Sequence, residues 1–112
     1  MIYISIALFA LAAVFGLTML IKWMKKEDAP RGVAYIHGIA AAIALLILIM
    51  YGVGHPDHFP KISIILFIVA ALGGFFMFIR DVMKKAPIIP LAFLHALLAI
   101  SGFVTLLMFV FA

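Results

Sequence analysis

Three observations predict an all-α protein, an integral membrane four-helix bundle made of two parallel repeats of a two-helix unit. The first is composition: of 112 residues, 70% are hydrophobic and 11% charged, more apolar surface than a soluble domain of this size can bury. The second is that four apolar runs, about residues 2–21, 33–53, 62–79 and 88–111, each reach the roughly 20 residues that cross a hydrocarbon core of about 30 Å. Backbone groups find no water there, so each run should be a helix. The third is self-similarity. Shifted by 58 places, the chain aligns on itself without a gap: Ile4-Ser5-Ile6 falls on Ile62-Ser63-Ile64, Ala12-Ala13 on Ala70-Ala71, Gly16 on Gly74, and His37 on His95, with 16 of 54 pairs identical. An apolar alphabet inflates such matches, but it does not align a serine, a glycine and a histidine. The chain therefore reads as a single membrane domain, 1–112, with an internal repeat of 1–54 and 59–112.

Charge fixes the expected orientation. The net charge is +4, and Lys22, Lys25, Lys26 and Arg31 fall between runs 1 and 2, Arg80, Lys84 and Lys85 between runs 3 and 4, and only Lys61 in the middle connection. By the positive-inside rule the two basic loops are cytoplasmic and Met1 and Ala112 face outward, with a bacterial inner membrane as the expected location. Basic charge distributed in this way is a topology signal, and no nucleic-acid partner is expected. The first run lacks a basic segment before it and carries its charges after it, so it should be a retained helix. The absence of cysteine excludes disulfides, thiolate metal sites, iron–sulfur clusters and thioether-attached haem.

Taken in order, span 1 has no ionisable side chain between Met1 and Lys22, and its Ala12 and Gly16 form a small-xxx-small pair that recurs as Ala70 and Gly74 in span 3. The first loop holds Trp23, suited to the interfacial aromatic belt, with lysines that can snorkel to headgroups. Span 2 begins near Val33, which sets His37 roughly 6–8 Å inside at 1.5 Å per residue. An ionisable residue at that depth is a candidate functional group. Ala34, Ala41 and Ala44 share its helix face, as Ala92, Ala99 and Gly102 share that of His95 in span 4. Side chains this small leave a groove in which something flat could lie, or they serve close helix contacts with each imidazole bonded to a neighbouring carbonyl or hydroxyl. The middle connection, with His55, Pro56, Asp57, His58 and Pro60, should be a tight outward loop, and His55 and His58 have the composition of a surface metal site with weak spacing. Span 3 ends in Gly73-Gly74-Phe75-Phe76, and Pro87 and Pro90 precede the first turns of span 4.

Short connections between four spans predict an antiparallel bundle in which spans 2 and 4 run the same way, with His37 and His95 at equal depth. Two imidazoles meeting across an axis along the membrane normal suit a planar macrocycle whose iron needs one nitrogen on each face. Its acidic groups would lie toward the near surface, within reach of Lys22, Arg31 and Arg80. In architecture and in the His37/His95 pair, the chain resembles the small four-helix membrane cytochromes of b type. That resemblance implies non-covalent haem b, electron transfer, and quinone or quinol, oxygen or superoxide as the redox partner. Members holding two haems commonly use four intramembrane histidines, whereas this chain has two, so one haem per chain is expected. A second haem would need His55 and His58 together with a second protomer, in a symmetric homodimer. The competing expectations are a small four-helix membrane transporter, which the lack of any Asp or Glu within a span disfavours, and a structural subunit of a membrane complex without haem.

Overall fold

A computed structural model describes residues 1–112. It consists of four α-helices: α1 (Ile2–Met24), α2 (Arg31–Gly54), α3 (Lys61–Val82) and α4 (Ile89–Phe111). All four are long and apolar enough to cross a membrane. The first three outrun the apolar stretches that predict them. Lys22 and Arg80, expected in connections, occupy the last turns of α1 and α3, and Arg31 opens α2. Hydropathy marks the hydrocarbon boundary, but helical hydrogen bonding continues past it, and a basic group in the last turn is favoured by the helix dipole. Pro30 and Pro60 precede α2 and α3, and Pro90 lies in the first turn of α4, positions where a missing N–H costs nothing.

The helices alternate in direction and follow one another around the bundle, each packing on its sequence neighbour and α4 closing onto α1. The backbones of α1 and α3, and of α2 and α4, lie on opposite diagonals and do not approach. The bundle measures 45 × 21 × 19 Å. Only 15 of 112 residues are buried, so most side chains, including some thirty large apolar ones, point outward. Such a surface requires a lipid environment.

The sealed core, Ile2, Phe9, Ala44, Leu48, Phe67 and Leu106, occupies the half of the bundle that contains Met1, Ala112 and the loop at 55–60. At its centre Phe9 of α1 and Phe67 of α3 stack across the diagonal, centroids 3.8 Å apart and planes 6° from parallel. Two buried serines tie neighbours together: the Ser5 hydroxyl donates to the Ala44 carbonyl at 2.9 Å, and Ser63 shares a 2.7 Å hydrogen bond with Thr105. Between apolar helices in lipid there is no hydrophobic driving force, so stacking, close packing and these hydrogen bonds hold the bundle.

Several features recur at the 58-residue offset. Ser5 and Ser63, Phe9 and Phe67, Ala12 and Ala70, Ala44 and Gly102, and Leu48 and Leu106 are all buried. The turns after α1 and α3 also correspond. The Glu27 N–H donates to the Lys22 carbonyl at 2.8 Å and the Lys85 N–H to that of Arg80 at 2.9 Å. Lys26 and Lys84 both adopt φ 59°, the left-handed conformation that such helix ends require and that glycine adopts at least cost.

Candidate functional site

His37 and His95 each stand six residues beyond the first residue of their helix, about 9 Å along its axis. Their rings meet across the diagonal, with centroids 6.1 Å apart and planes inclined at 72°. Thus the side chains bridge a space that the α2 and α4 backbones do not. The pair lies at the inner edge of the sealed core. From there toward the turns at 25–30 and 83–88, α1 and α3 have no buried residue after Ala12 and Ala70.

Each imidazole is fixed by the helix beside it. His37 Nδ1 lies 2.7 Å from the Ala12 carbonyl oxygen, and His95 Nδ1 lies 2.7 Å from that of Ala70. A carbonyl oxygen only accepts, so both Nδ1 atoms must carry the proton and donate it. In the neutral ring this leaves Nε2 with a bare lone pair. A buried imidazole bonded to a neighbouring carbonyl is one of the two arrangements expected from sequence. It is also the arrangement that orients a metal-bound histidine through its second nitrogen.

Two residues of this site were not recognised as such in the sequence. A Cβ placed on Gly16 would lie 2.8 Å from His37 Cε1, and one on Gly74 would lie 2.9 Å from His95 Cε1. The small-xxx-small pairs therefore seat an imidazole rather than a backbone. The signal was present in the alignment, where glycine matches glycine and histidine matches histidine at the same offset.

The small residues proposed to line a groove divide. Ala41 and Ala99 are half-buried. Ala44 is fully buried under the Ser5 hydroxyl, and Gly102 meets the Phe67 ring, 3.2 Å from where its Cβ would be. Below the histidines, then, this stripe faces protein. On the opposite side, Arg31 Nε lies 3.7 Å from Asp81 Oδ2, and Lys22 pairs with Glu27 at 3.4 Å. Arg80 donates through Nη2 to the Ala86 carbonyl at 2.9 Å, while its Nε is buried without a partner. Beside it is a cavity of about 10 Å³ bordered by Trp23, Met77, Lys85 and Pro87, room for one water-sized group.

His55 and His58 are exposed at the far end of the bundle. His55 stacks on Tyr51 at 4.0 Å and bonds its carbonyl through Nδ1 at 2.9 Å, while His58 packs on Phe109 at 4.6 Å. Nowhere do three His, Asp or Glu side chains converge as a metal site. The fold brings His37 and His95 together and keeps the loop histidines apart from them. Comparison with protein-family models, with curated proteins and with solved structures gives no match for this chain.

Proposed function

We propose that this protein is a membrane b-type cytochrome that holds one haem non-covalently between His37 and His95. The observation that carries the proposal is the pair of imidazoles at equal helical depth, facing across the diagonal at 6.1 Å, each with Nδ1 committed to a carbonyl and Nε2 bare. His37 and His95 would hold the iron through Nε2, and the 6.1 Å between their rings is close enough for both to belong to one site. Imidazole is a usual haem ligand, and two neutral rings add no charge to an apolar site. The looser half of the bundle lies on the side of the site where Arg80 keeps an unpartnered Nε, which supports that guanidinium, with Arg31 and Lys22 near the same surface, as the partner of the acidic haem groups.

In this role His37 and His95 are the ligands, Ala12 and Ala70 fix their ring orientation, and Gly16 and Gly74 leave space for them. Bound haem supplies one-electron chemistry. The apolar helices exclude water from it and keep its partner in the lipid phase or at the surface. Quinone or quinol is the favoured partner class, with oxygen or superoxide as the other, and the basic turns are assigned to the cytoplasmic side. The carbonyl-bonded imidazoles also favour a second reading, in which the histidines are helix clamps in a structural subunit. Pyridine haemochrome analysis separates the two. The cytochrome predicts about one haem per chain in the wild type and in a His55→Ala/His58→Ala double variant, and haem loss or a high-spin spectrum in His37→Ala and His95→Ala. A clamp predicts no haem in any of them.

A further inference from the structure

The hydrogen bonds between helices all lie inside one hairpin or the other. Ser5 with Ala44 and His37 with Ala12 join α1 to α2, and Ser63 with Thr105 and His95 with Ala70 join α3 to α4. The glycine seats divide in the same way, Gly16 against His37 and Gly74 against His95. Each hairpin therefore carries a complete half of the site, and packing between hairpins joins the halves. That packing is uneven along the bundle. In the half that contains Met1 and Ala112 it includes the Phe9–Phe67 stack at 3.8 Å, Tyr3 on Phe111 at 6.1 Å and Tyr51 on Phe109 at 6.4 Å, and the 55–60 connection links α2 to α3 there. Beyond the histidines, at the basic end, no covalent link joins the hairpins. The polar and aromatic contacts that cross are one ion pair, Arg31 Nε to Asp81 Oδ2 at 3.7 Å, and one tilted ring pair, Tyr35 and Phe78 at 5.9 Å. The paired side chains are 44% and 32% exposed, and an ion pair so open to solvent shifts an equilibrium only about threefold. The ring pair adds about fivefold.

We propose that Arg31 with Asp81 and Tyr35 with Phe78 form a clasp that gates the histidine pair: the hairpins part at the basic end, pivot on the packed opposite half, and reclose. His37 and His95 stand edge to face, with α1 seated against one ring and α3 against the other, so a flat group passes between them only when the hairpins separate. Opening is cheap because it breaks no buried hydrogen bond. Each imidazole rides on its own hairpin and keeps its Nδ1 on the Ala12 or Ala70 carbonyl throughout, so reclosure returns both Nε2 atoms to the space between the rings already oriented. That the admitted group is haem rests on the cytochrome assignment. The parting of the hairpins does not.

The test measures distances and haemin uptake on the full chain in lipid nanodiscs. Because the chain has no cysteine, nitroxide labels on Asp28→Cys and Ala86→Cys report the basic ends of the two hairpins, and labels on Val53→Cys and Met108→Cys report the opposite end, all four positions being exposed. Pulsed EPR is expected to give a single distance for the 53/108 pair, and for the 28/86 pair a main distance with a minor longer one. The minor share should rise about threefold in Asp81→Asn and about fivefold in Phe78→Ala. Uptake of added haemin, followed in the visible spectrum, should quicken by similar factors in these two variants. In Tyr35→Cys/Phe78→Cys, bridging the two thiols with a short bis-maleimide should slow uptake at least about tenfold against the unbridged protein. An equal spread of distances at both ends would overturn the clasp, as would a 28/86 distribution that neither Asp81→Asn nor Phe78→Ala alters. Undiminished uptake by the bridged protein would overturn the gate and keep the cytochrome. Distances that respond as expected in a protein that takes up no haemin would keep the clasp and overturn the cytochrome.

Discussion

Gly16 and Gly74 set the histidine geometry as directly as the histidines do. Each lies where a single methyl group would come within 3 Å of an imidazole carbon, so Gly16→Ala or Gly74→Ala must displace the ring from its carbonyl. On the cytochrome assignment, haem affinity is expected to fall about tenfold or more, the scale of losing a group that orients a metal ligand. Gly38→Ala is the control. Its Cβ meets nothing within 4 Å, and haem binding should be unchanged in a spectrophotometric titration. At the other scale of cost, Lys26 and Lys84 hold φ 59°. Replacing either by glycine removes the strain of a side chain in the left-handed region and should raise stability by about 1 kcal/mol, read as a higher thermal midpoint in detergent. The histidines were legible in the sequence because ionisable residues are rare in apolar runs. The seats were not, since a glycine in a membrane helix reads first as a site of helix approach.

At the level of the helices, each diagonal pair is joined by side chains alone: Phe9 with Phe67 and His37 with His95. Burial of phenyl rings gains little in lipid, so the stack should contribute mainly through its geometry. A double-mutant cycle with Phe9→Leu and Phe67→Leu is expected to give a coupling of about 1 kcal/mol. Ser63→Ala should cost about 0.6 kcal/mol, typical of a hydrogen bond between membrane helices. A null coupling between the phenylalanines would mean that they pack independently. Helix number and order were legible because apolar length responds directly to bilayer thickness. The helix ends were not, because Lys22, Arg31 and Arg80 continue the backbone pattern beyond the hydrocarbon edge. Nor was the fate of the small-residue stripe, as periodicity gives the face of Ala44 and Gly102 but not that Ser5 and Phe67 fill it.

For the molecule as a whole, four alternating helices put the turns at 25–30 and 83–88 at one end, and Met1, Ala112 and the loop at 55–60 at the other. The absence of cysteine makes the orientation easy to read. A membrane-impermeant maleimide applied to intact cells should label Asp57→Cys and leave Ala86→Cys unlabelled, both positions being exposed. The opposite pattern would invert the bundle and bring the looser, basic end to the outside. Either orientation leaves the histidine pair at the inner edge of the core, where the 58-residue correspondence of Ala12, Gly16 and His37 with Ala70, Gly74 and His95 builds one site from two like halves. The most direct measurement of what that site holds is the reduced-minus-oxidised visible spectrum of the purified protein beside His37→Ala and His95→Ala. A bis-histidine cytochrome predicts the sharp, low-spin bands of haem b in the wild type, and haem loss or a high-spin spectrum in each variant. A wild-type preparation without haem, or a low-spin spectrum that both substitutions leave unchanged, would contradict it.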